Sequence, residues 1–500
     1  MAERGAAVAA GSALAVEAAA EALRAGGSAV DAVIAGVFGA MAAEPVLAGL
    51  MGGGFLMVRE PSGRARLLDG FTATPRRKTP EADADLREIE ADFGDVRQAF
   101  HIGAATVACP GLAPLIAEAH ARFGRAPLPD LAAPAVEALR RGRPLAAFQA
   151  EVMAVVAPIV SATPGARALY CGGEATPLKA GAAFANPALA DVLETFAAEG
   201  PRFVQEGEPA AALAAFCADG GHLTREDLAA YRAAWRTPLD VARGDARIAL
   251  NPPPAAGGAL VAFALALLDP GAPPAARAQA FRDTALARVE AKLADDAEAG
   301  AARLLAPETI ARWRRLSAPR GTTHVSAVDA DGLGAALSLS NGEGCGAVLP
   351  GLGVMPNNML GEADLTPDPF GWTPGVRLSS MMTPAAVTWR DGRVALLGSG
   401  GSNRIRSAMA QALAHLIDDR MPLEAAVAAP RLHAEGDGTV DFEDRFAESE
   451  RAGLLAAFPE ARPWARDSMF FGGVHAVART ARGAVEAAGD PRRDGAAARV

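Results

Sequence analysis

The sequence predicts an α+β fold with largely antiparallel sheets, because helical and strand patterns come in separate runs. Helix-period segments dominate the chain ahead of Gly321, and three hairpin patterns crowd the part behind it. The 500 residues are 51% hydrophobic and 21% charged, enough apolar material for stacked layers and too much for a disordered scaffold.

The elements read in order as follows. Ser12 stands where it caps a helix running to Arg24, closed by Gly26-Gly27. Ser28-Ala29-Val30-Asp31 reads as a capping box with Asp31 in place of the usual Glu, and it opens a helix apolar on all sides, hence buried. Gly49 to Gly54 interrupts that helix. Phe55-Leu56-Met57-Val58 and Arg66-Leu67-Leu68 form a strand pair turned at Pro61-Ser62-Gly63. Residues 75–245 are Ala-rich and mostly helical by period, with turns at Cys109-Pro110-Gly111 and Gly142-Arg143-Pro144. Ile248-Ala249-Leu250 is a strand entering Asn251-Pro252-Pro253-Pro254. An apolar helix from about Leu260 to Leu268 follows, and residues 275–315 read as a helical peripheral layer.

Beyond Gly321, His324 to Val328 and Ala335 to Ser340 flank Asp329-Ala330-Asp331-Gly332 in a hairpin pattern. A second hairpin joins Ala386 to Trp389 with Val394 to Leu397, and a third joins Val474 to Val477 with Ala484 to Glu486. An apolar-periodic helix from Arg404 to Ile417 lies between the last two.

Charge and composition exclude several function classes. A net charge of −10 without a long basic run argues against a nucleic-acid partner. Cys109, Cys171, Cys217 and Cys345 form no C-x-x-C pair, and the seven histidines form no H-E-x-x-H, so no metal and no cofactor are expected. The amino terminus lacks the basic start and compact apolar stretch of a signal peptide, with Glu17 and Glu21 interrupting it. The run Ala32 to Ala43 stops at Glu44-Pro45, short of the about 20 residues that span a bilayer. A cytoplasmic location with no membrane partner is the expectation, or a periplasmic one if the start lies too far downstream.

Chemistry concentrates behind Gly321. If the chain is cut before Thr322, the new α-amine supplies a base on the same residue as the hydroxyl, with an ordinary pKa of about 7.7–8.0 suited to proton transfer. The plainer reading is a turn entering a strand. In Gly398-Ser399-Gly400-Gly401-Ser402, between a strand and a helix, consecutive N–H groups at a helix start suit an oxyanion or a phosphate; a tight turn explains the same residues. Ser379-Ser380 offers two hydroxyls to a carboxylate or to local backbone. Asn341, Asn357, Asn358 and Glu362 offer groups that hold an ammonium, or turn chemistry alone. Gly52-Gly53-Gly54 fits no phosphate loop and reads as close backbone packing.

Together and in this order, these segments resemble the γ-glutamyltransferase (γ-glutamyl transpeptidase) family. The resemblance is carried from Gly26-Gly27-Ser28-Ala29-Val30-Asp31-Ala32, Glu44-Pro45 and Gly52-Gly53-Gly54-Phe55, through Pro110-Gly111-Leu112, Leu223-Thr224-Arg225-Glu226-Asp227-Leu228 and Gly257-Gly258. It continues through Thr322-Thr323-His324-Val325-Ser326, Asn357-Asn358, Leu378-Ser379-Ser380-Met381, Gly398-Ser399-Gly400-Gly401, Ala429-Pro430-Arg431 and Asp490-Pro491-Arg492. It implies an N-terminal-nucleophile hydrolase with a four-layer αββα fold, made as one chain that cuts itself between Gly321 and Thr322. Residues 1–321 then form a large subunit and 322–500 a small one, within one domain.

By the same resemblance Thr322 is both autoprocessing and catalytic nucleophile, and Ser340 supports its amine. Asn341 and Glu362 hold the donor's α-ammonium, Ser379 and Ser380 its α-carboxylate, and the Gly400-Gly401-Ser402 backbone forms the oxyanion hole. Phe71 stands where the family has an Arg gripping the donor carboxylate, and Met359 where many members have a polar amide. The implied activity is hydrolysis or transpeptidation of γ-glutamyl amides such as glutathione, with water or an amino acid as acceptor. The alternatives are a cephalosporin-acylase-like or other small-amide hydrolase, and an unprocessed binding relative.

Overall fold

A computed structural model describes residues 5–92, 97–293, 296–307, 309–310, 323–362, 368–465 and 467–500. Among them, two antiparallel sheets lie face to face. One has seven strands in the order Ala496–Arg499, Ala7–Ala10, Thr323–Val328, Gly334–Ser340, Gly53–Arg59, Ala65–Gly70 and Ala234–Arg236. The other has six, ordered Val485–Ala488, Gly473–Arg479, Val394–Gly400, Ala385–Trp389, Ala246–Leu250 and Leu239–Arg243.

Strand alternation sorts the apolar side chains into two cores. Val8, Ala10, Leu56, Val58, Val325, Ala327, Leu337 and Leu339 face the helices Ala13–Arg24 and Ala29–Ala43. Ala7, Ala9, Phe55, Met57, Val328 and Ala336 face the second sheet, whose far side is covered by Gly257–Leu267 and Ile405–Ile417. The result is helix, sheet, sheet, helix, the α+β layering expected from the sequence. The hairpins Thr323–Val328/Gly334–Ser340, Ala385–Trp389/Val394–Gly400 and Gly473–Arg479/Val485–Ala488 form as the patterns predict.

Local chemistry explains the helical hairpin only in part. The Ser28 hydroxyl accepts from Asp31 N at 3.1 Å and Asp31 Oδ2 accepts from Ser28 N at 2.8 Å, the reciprocal cap foreseen. Ser12 occupies its cap position without a side-chain capping bond; its hydroxyl lies beside Glu44 instead. The glycine run is close packing, as predicted. A Cβ on Gly52 would meet Ser340 O at 2.2 Å, and one on Gly53 would meet Thr72 N at 2.7 Å.

Several strands were not foreseen. Ala7–Ala10 and Ala496–Arg499 are almost all alanine and carry no legible period, so pairing with Thr323–Val328 and with each other decides their state. Ala234–Arg236, Leu239–Arg243 and the hairpin Arg87–Asp92/Arg97–Ile102 interrupt the stretch read as helical. Residues 311–315 of the expected peripheral helix lie outside the described residues. Among those described, no helix is long and apolar enough to cross a membrane.

His324, His433 and His475 are sealed inside. Burial pushes the His433 and His475 imidazoles down to about 4, and His324 well below its ordinary value. The unfolded chain, titrating near pH 6.5, then binds more protons than the folded one between there and about pH 4. Stability is therefore fully present above that window and falls as pH drops through it, by up to about 1.4 kcal/mol per pH unit for each histidine. Glu44, whose pKa burial raises, acts in the opposite sense and offsets part of this. The urea midpoint is expected to be lower at pH 5 than at pH 7; a midpoint that holds steady would contradict the neutral burial of these rings.

Candidate active site

The site is built where the two sheets end together. Ring and backbone contacts fix their relative direction: a Cβ on Gly334 would meet Leu396 Cδ2 at 2.4 Å, and one on Gly398 would meet His324 at 2.3 Å. The strands Gly334–Ser340 and Val394–Gly400 thus run toward the same end of the sandwich, which Ser340 and Gly400 reach. Thr323 opens its strand at that end, paired with Leu339, and Ser340 is the next residue along the partner strand. Gly321 and Thr322 themselves lie outside the described residues.

Around Ser340 the backbone doubles back tightly. Gly342 N donates to Ser340 Oγ at 3.0 Å, and Gly342 has φ +63. A Cβ there would fall 2.0 Å from Asn358 Oδ1 and 2.5 Å from Glu362 Oε1, so Ser340, Gly342 and the Glu362 carboxylate form one cluster. Asn358 Oδ1 accepts from Glu343 N at 2.9 Å and Gly344 N at 3.2 Å. Asn357 Nδ2 donates to Met51 O and Ala108 O. The Asn-Asn pair therefore ties distant segments together, and Asn357 Oδ1 also makes a local turn bond, accepting from Met359 N at 3.1 Å. Asn341 is buried, donates to Met355 O at 3.2 Å, and faces a small cavity lined with Gly49, Leu50 and Tyr170. Met359 is buried in the adjoining turn.

Phe71 and the paired serines form a second group. Leu378 N donates to Thr72 O at 3.0 Å, which ties the two segments together beside Gly53. Phe71 is 1% exposed and stacks on Phe55 with ring centres 5.3 Å apart, inside the core between the sheets. Its carbonyl, not its side chain, meets a cation: Arg377 Nη1 donates to it at 2.8 Å. Arg377 is itself fully engaged, with Asp69 at 3.4 Å, Arg232 O at 2.9 Å and the Tyr231 ring. Ser380 Oγ accepts from Met382 N at 3.1 Å, and its carbonyl accepts from Ala256 N and Gly257 N at the start of Gly257–Leu267. Ser379 is half-buried beside it.

The glycine turn belongs to the second sheet. Gly401 has φ +126, and Ser402, at φ +52, is a non-glycine residue in the left-handed region. Arg404 N and Ile405 N donate to Gly401 O and Ser402 O, so this turn leads straight into the helix Ile405–Ile417. A Cβ on Gly401 would come within 3.3 Å of Arg493 Nη2.

Behind this turn lies a buried ionic network that absorbs two motifs whose purpose the sequence did not disclose. Asp490 Oδ2 is 2.7 Å from Arg431 Nη2, and Asp490 Oδ1 is 3.1 Å from Arg492 Nη1. Arg492 also grips Glu443 at 2.6 Å, and Val474 N donates to Asp490 at 2.8 Å. Burial works to raise the Asp490 carboxyl, but Arg431 and Arg492 bring it down to about 2. The neighbouring Arg493 is pushed down to about 10 by burial, against the charges of Asp490 and Glu44. Glu44 is the other residue sequence reasoning passed over as mere motif. An acid closing an all-apolar helix was the available signal.

Comparison with known proteins places this architecture. The family described as Gamma-glutamyltranspeptidase matches residues 15–273 and 266–500. The chain belongs to the gamma-glutamyltranspeptidase family. It is 32% identical to the Acylase ACY 1 proenzyme of Pseudomonas sp. (strain V22), covering 96% of this chain and 91% of that one. It is 30% identical to the Glutathione hydrolase proenzyme of Pseudomonas aeruginosa, with 98% and 94% covered. The fold matches the crystal structure of cephalosporin acylase from Bacillus halodurans with a TM-score of 0.81 at 23% identity, covering 99% and 96%. As a member of this family the protein is an amidohydrolase of the N-terminal-nucleophile type.

Replacing Asp490 with Ala leaves Arg431 and Arg492 facing each other without their shared anion. Breaking a buried pair this way costs about 3–5 kcal/mol. The expected outcome is a clear drop in thermal midpoint, measured by calorimetry at pH 7; an unchanged midpoint would mean that the network is not what braces this wall.

Proposed function

We propose that the protein cleaves γ-glutamyl amides, glutathione or related compounds, by hydrolysis or transpeptidation through an acyl group on Thr322. The observation that carries this is Ser340: it follows the partner of Thr323 in register, at the sandwich end where the Gly400-Gly401 turn also arrives. His324, Ser326 and Val328 are the even-numbered positions of that strand, and Val328 faces the space between the sheets.

In the maturation step of this reading, the peptide C–N bond between Gly321 and Thr322 breaks. The acyl carbon passes to the Thr322 hydroxyl and then to water, and the nitrogen leaves as an amine. That amine, supported by Ser340, then takes the hydroxyl proton as the oxygen attacks the substrate carbonyl and gives it to the departing amine as the amide C–N bond breaks; water or an amino acid then takes the acyl group from Thr322 and restores the hydroxyl. Backbone N–H groups of Gly400, Gly401 and Ser402 stabilise the oxyanion, where a single donor is worth about 10²–10³ in rate. Asn341 and Glu362 hold the donor's ammonium, and Ser379 and Ser380 its carboxylate. The two segments, 1–321 and 322–500, stay in one domain after the cut. Strands from both contribute to each sheet, which supports that reading.

Phe71 favours a second reading. Its ring is stacked into the core and the neighbouring Arg377 does not replace it, being spent on Asp69 and two carbonyls. An acyl group lacking an α-carboxylate needs no such grip, and the acylase relative fits this choice.

Two measurements test the proposal. Thr322→Ala is expected to give one uncut chain with no amidase activity; normal processing of that variant would remove Thr322 from both roles. Matured enzyme offered a γ-glutamyl anilide and a pentanoyl anilide, whose acyl group carries no carboxylate, is expected to turn over the first with the higher kcat/KM. A preference of tenfold or more for the pentanoyl compound would establish the acylase-like reading instead.

A further inference from the structure

Two arginines stand at the end of the sandwich remote from Ser340 and Gly400. In register, Arg59 is the partner of Gly334 and Arg479 the partner of Val394. Gly334 and Val394 are the first residues of the two strands that finish at the active-site end. Both arginine side chains turn inward. Arg59 follows Phe55 and Met57 on the face of its strand that meets the second sheet. Arg479 crosses from the second sheet to a turn of the first: its Nη2 donates to Ala330 O at 3.0 Å, and a Cβ on Gly332 would fall 3.1 Å from its Nη1.

What this pair lacks is an anion. Both arginines are half-buried, and among the described residues the Nε of each is buried without a hydrogen-bond partner. The acids of the adjoining turns are committed elsewhere. Glu60 pairs with Arg66 at 2.6 Å and Asp331 with Arg125 at 3.0 Å, while Asp329 accepts from the amides of Ala29, Asp331 and Leu333. Burial lowers the Arg59 pKa and the charge of Arg479 lowers it further, so each cation lies within the field of the other. Like charges drawn together out of water are costly unless something negative joins them. We propose that Arg59 and Arg479 form a binding site for a small oxyanion carrying two negative charges, a phosphate or a dicarboxylate, seated between the ends of the two sheets. Arg59 offers the planar fork that oxyanions accept from in pairs, and Arg479 supplies the second charge from the opposite sheet. A ligand held this way ties the sheets together at the end away from the chemistry, so the site stands whatever the enzyme's acyl donor.

The test titrates the full chain calorimetrically with inorganic phosphate and with succinate, at pH 8 and constant ionic strength in sodium chloride. One saturable site per chain is expected for at least one of the two anions, and the tighter of them names the ligand class. Arg59→Met and Arg479→Met are each expected to weaken that binding tenfold or more. Without either anion, Arg59→Met is expected to melt at or above the parent's thermal midpoint, because one of two repelling charges is gone. At saturating anion the order reverses, since only the parent gains from the ligand. Absence of saturable binding by both anions would overturn the proposal. So would binding at parental strength in both variants, which would mean an adventitious ion only. If one variant does not fold, the affinity of the other decides.

Discussion

The pairing of Thr323–Val328 with Gly334–Ser340 is the constraint on which the rest of the molecule depends. This hairpin sits in the middle of the seven-stranded sheet, joined to Ala7–Ala10 on one side and Gly53–Arg59 on the other. A slip of one residue would turn Val325 and Leu337 away from the helices and Ser326 and Ser338 toward them. Register is therefore fixed by the apolar helix layer, and it brings Ser340 to the end of the sandwich. The glycines at 52, 54 and 334 let neighbouring backbone and side chains approach this hairpin without a Cβ in the way.

Polar groups inside the sandwich are held by complementary contacts. His324 lies between the Ser326 and Ser338 hydroxyls, each 2.8 Å from a ring nitrogen, with Gly398 making room for the ring. The charges of Arg431, Arg492, Asp490 and Glu443 are more costly to bury, and they are matched by direct pairs and by carbonyls of Val427 and Ala429. Such a network adds little net stability over apolar packing. It does join the carboxyl-terminal hairpin to the wall behind the Gly400-Gly401 turn in one arrangement.

In the proposed reading, substrate choice turns on Phe71. In the family resemblance this position carries a cation that meets a carboxylate, and here it carries a ring that completes the core with Phe55. Neighbouring Arg377 holds the Phe71 carbonyl, so its charge stabilises the scaffold and is not directed to a ligand. On the proposed function, the catalytic end of the sandwich and the wall that selects the acyl group are separable features of one fold, and divergence in the second leaves the first intact.

Much of this was legible in the amino-acid order. The three late hairpins, the capping box at Ser28 and Asp31, and the buried apolar helix follow from local period and hydrogen-bonding chemistry, which act over a few residues. The glycine runs announced close approach without naming what approached. What only the tertiary structure decided were contacts between distant segments. The alanine strands at 7–10 and 496–499 acquire their state from partners, the charges at 431, 443, 490 and 492 find one another across turns, and Phe71 is drawn into a core. Glu44 likewise meets Thr323 across 279 positions of chain. Sequence fixes such residues' chemistry, but their desolvation and their partners are properties of the packed interior, where distance along the chain no longer measures distance in space.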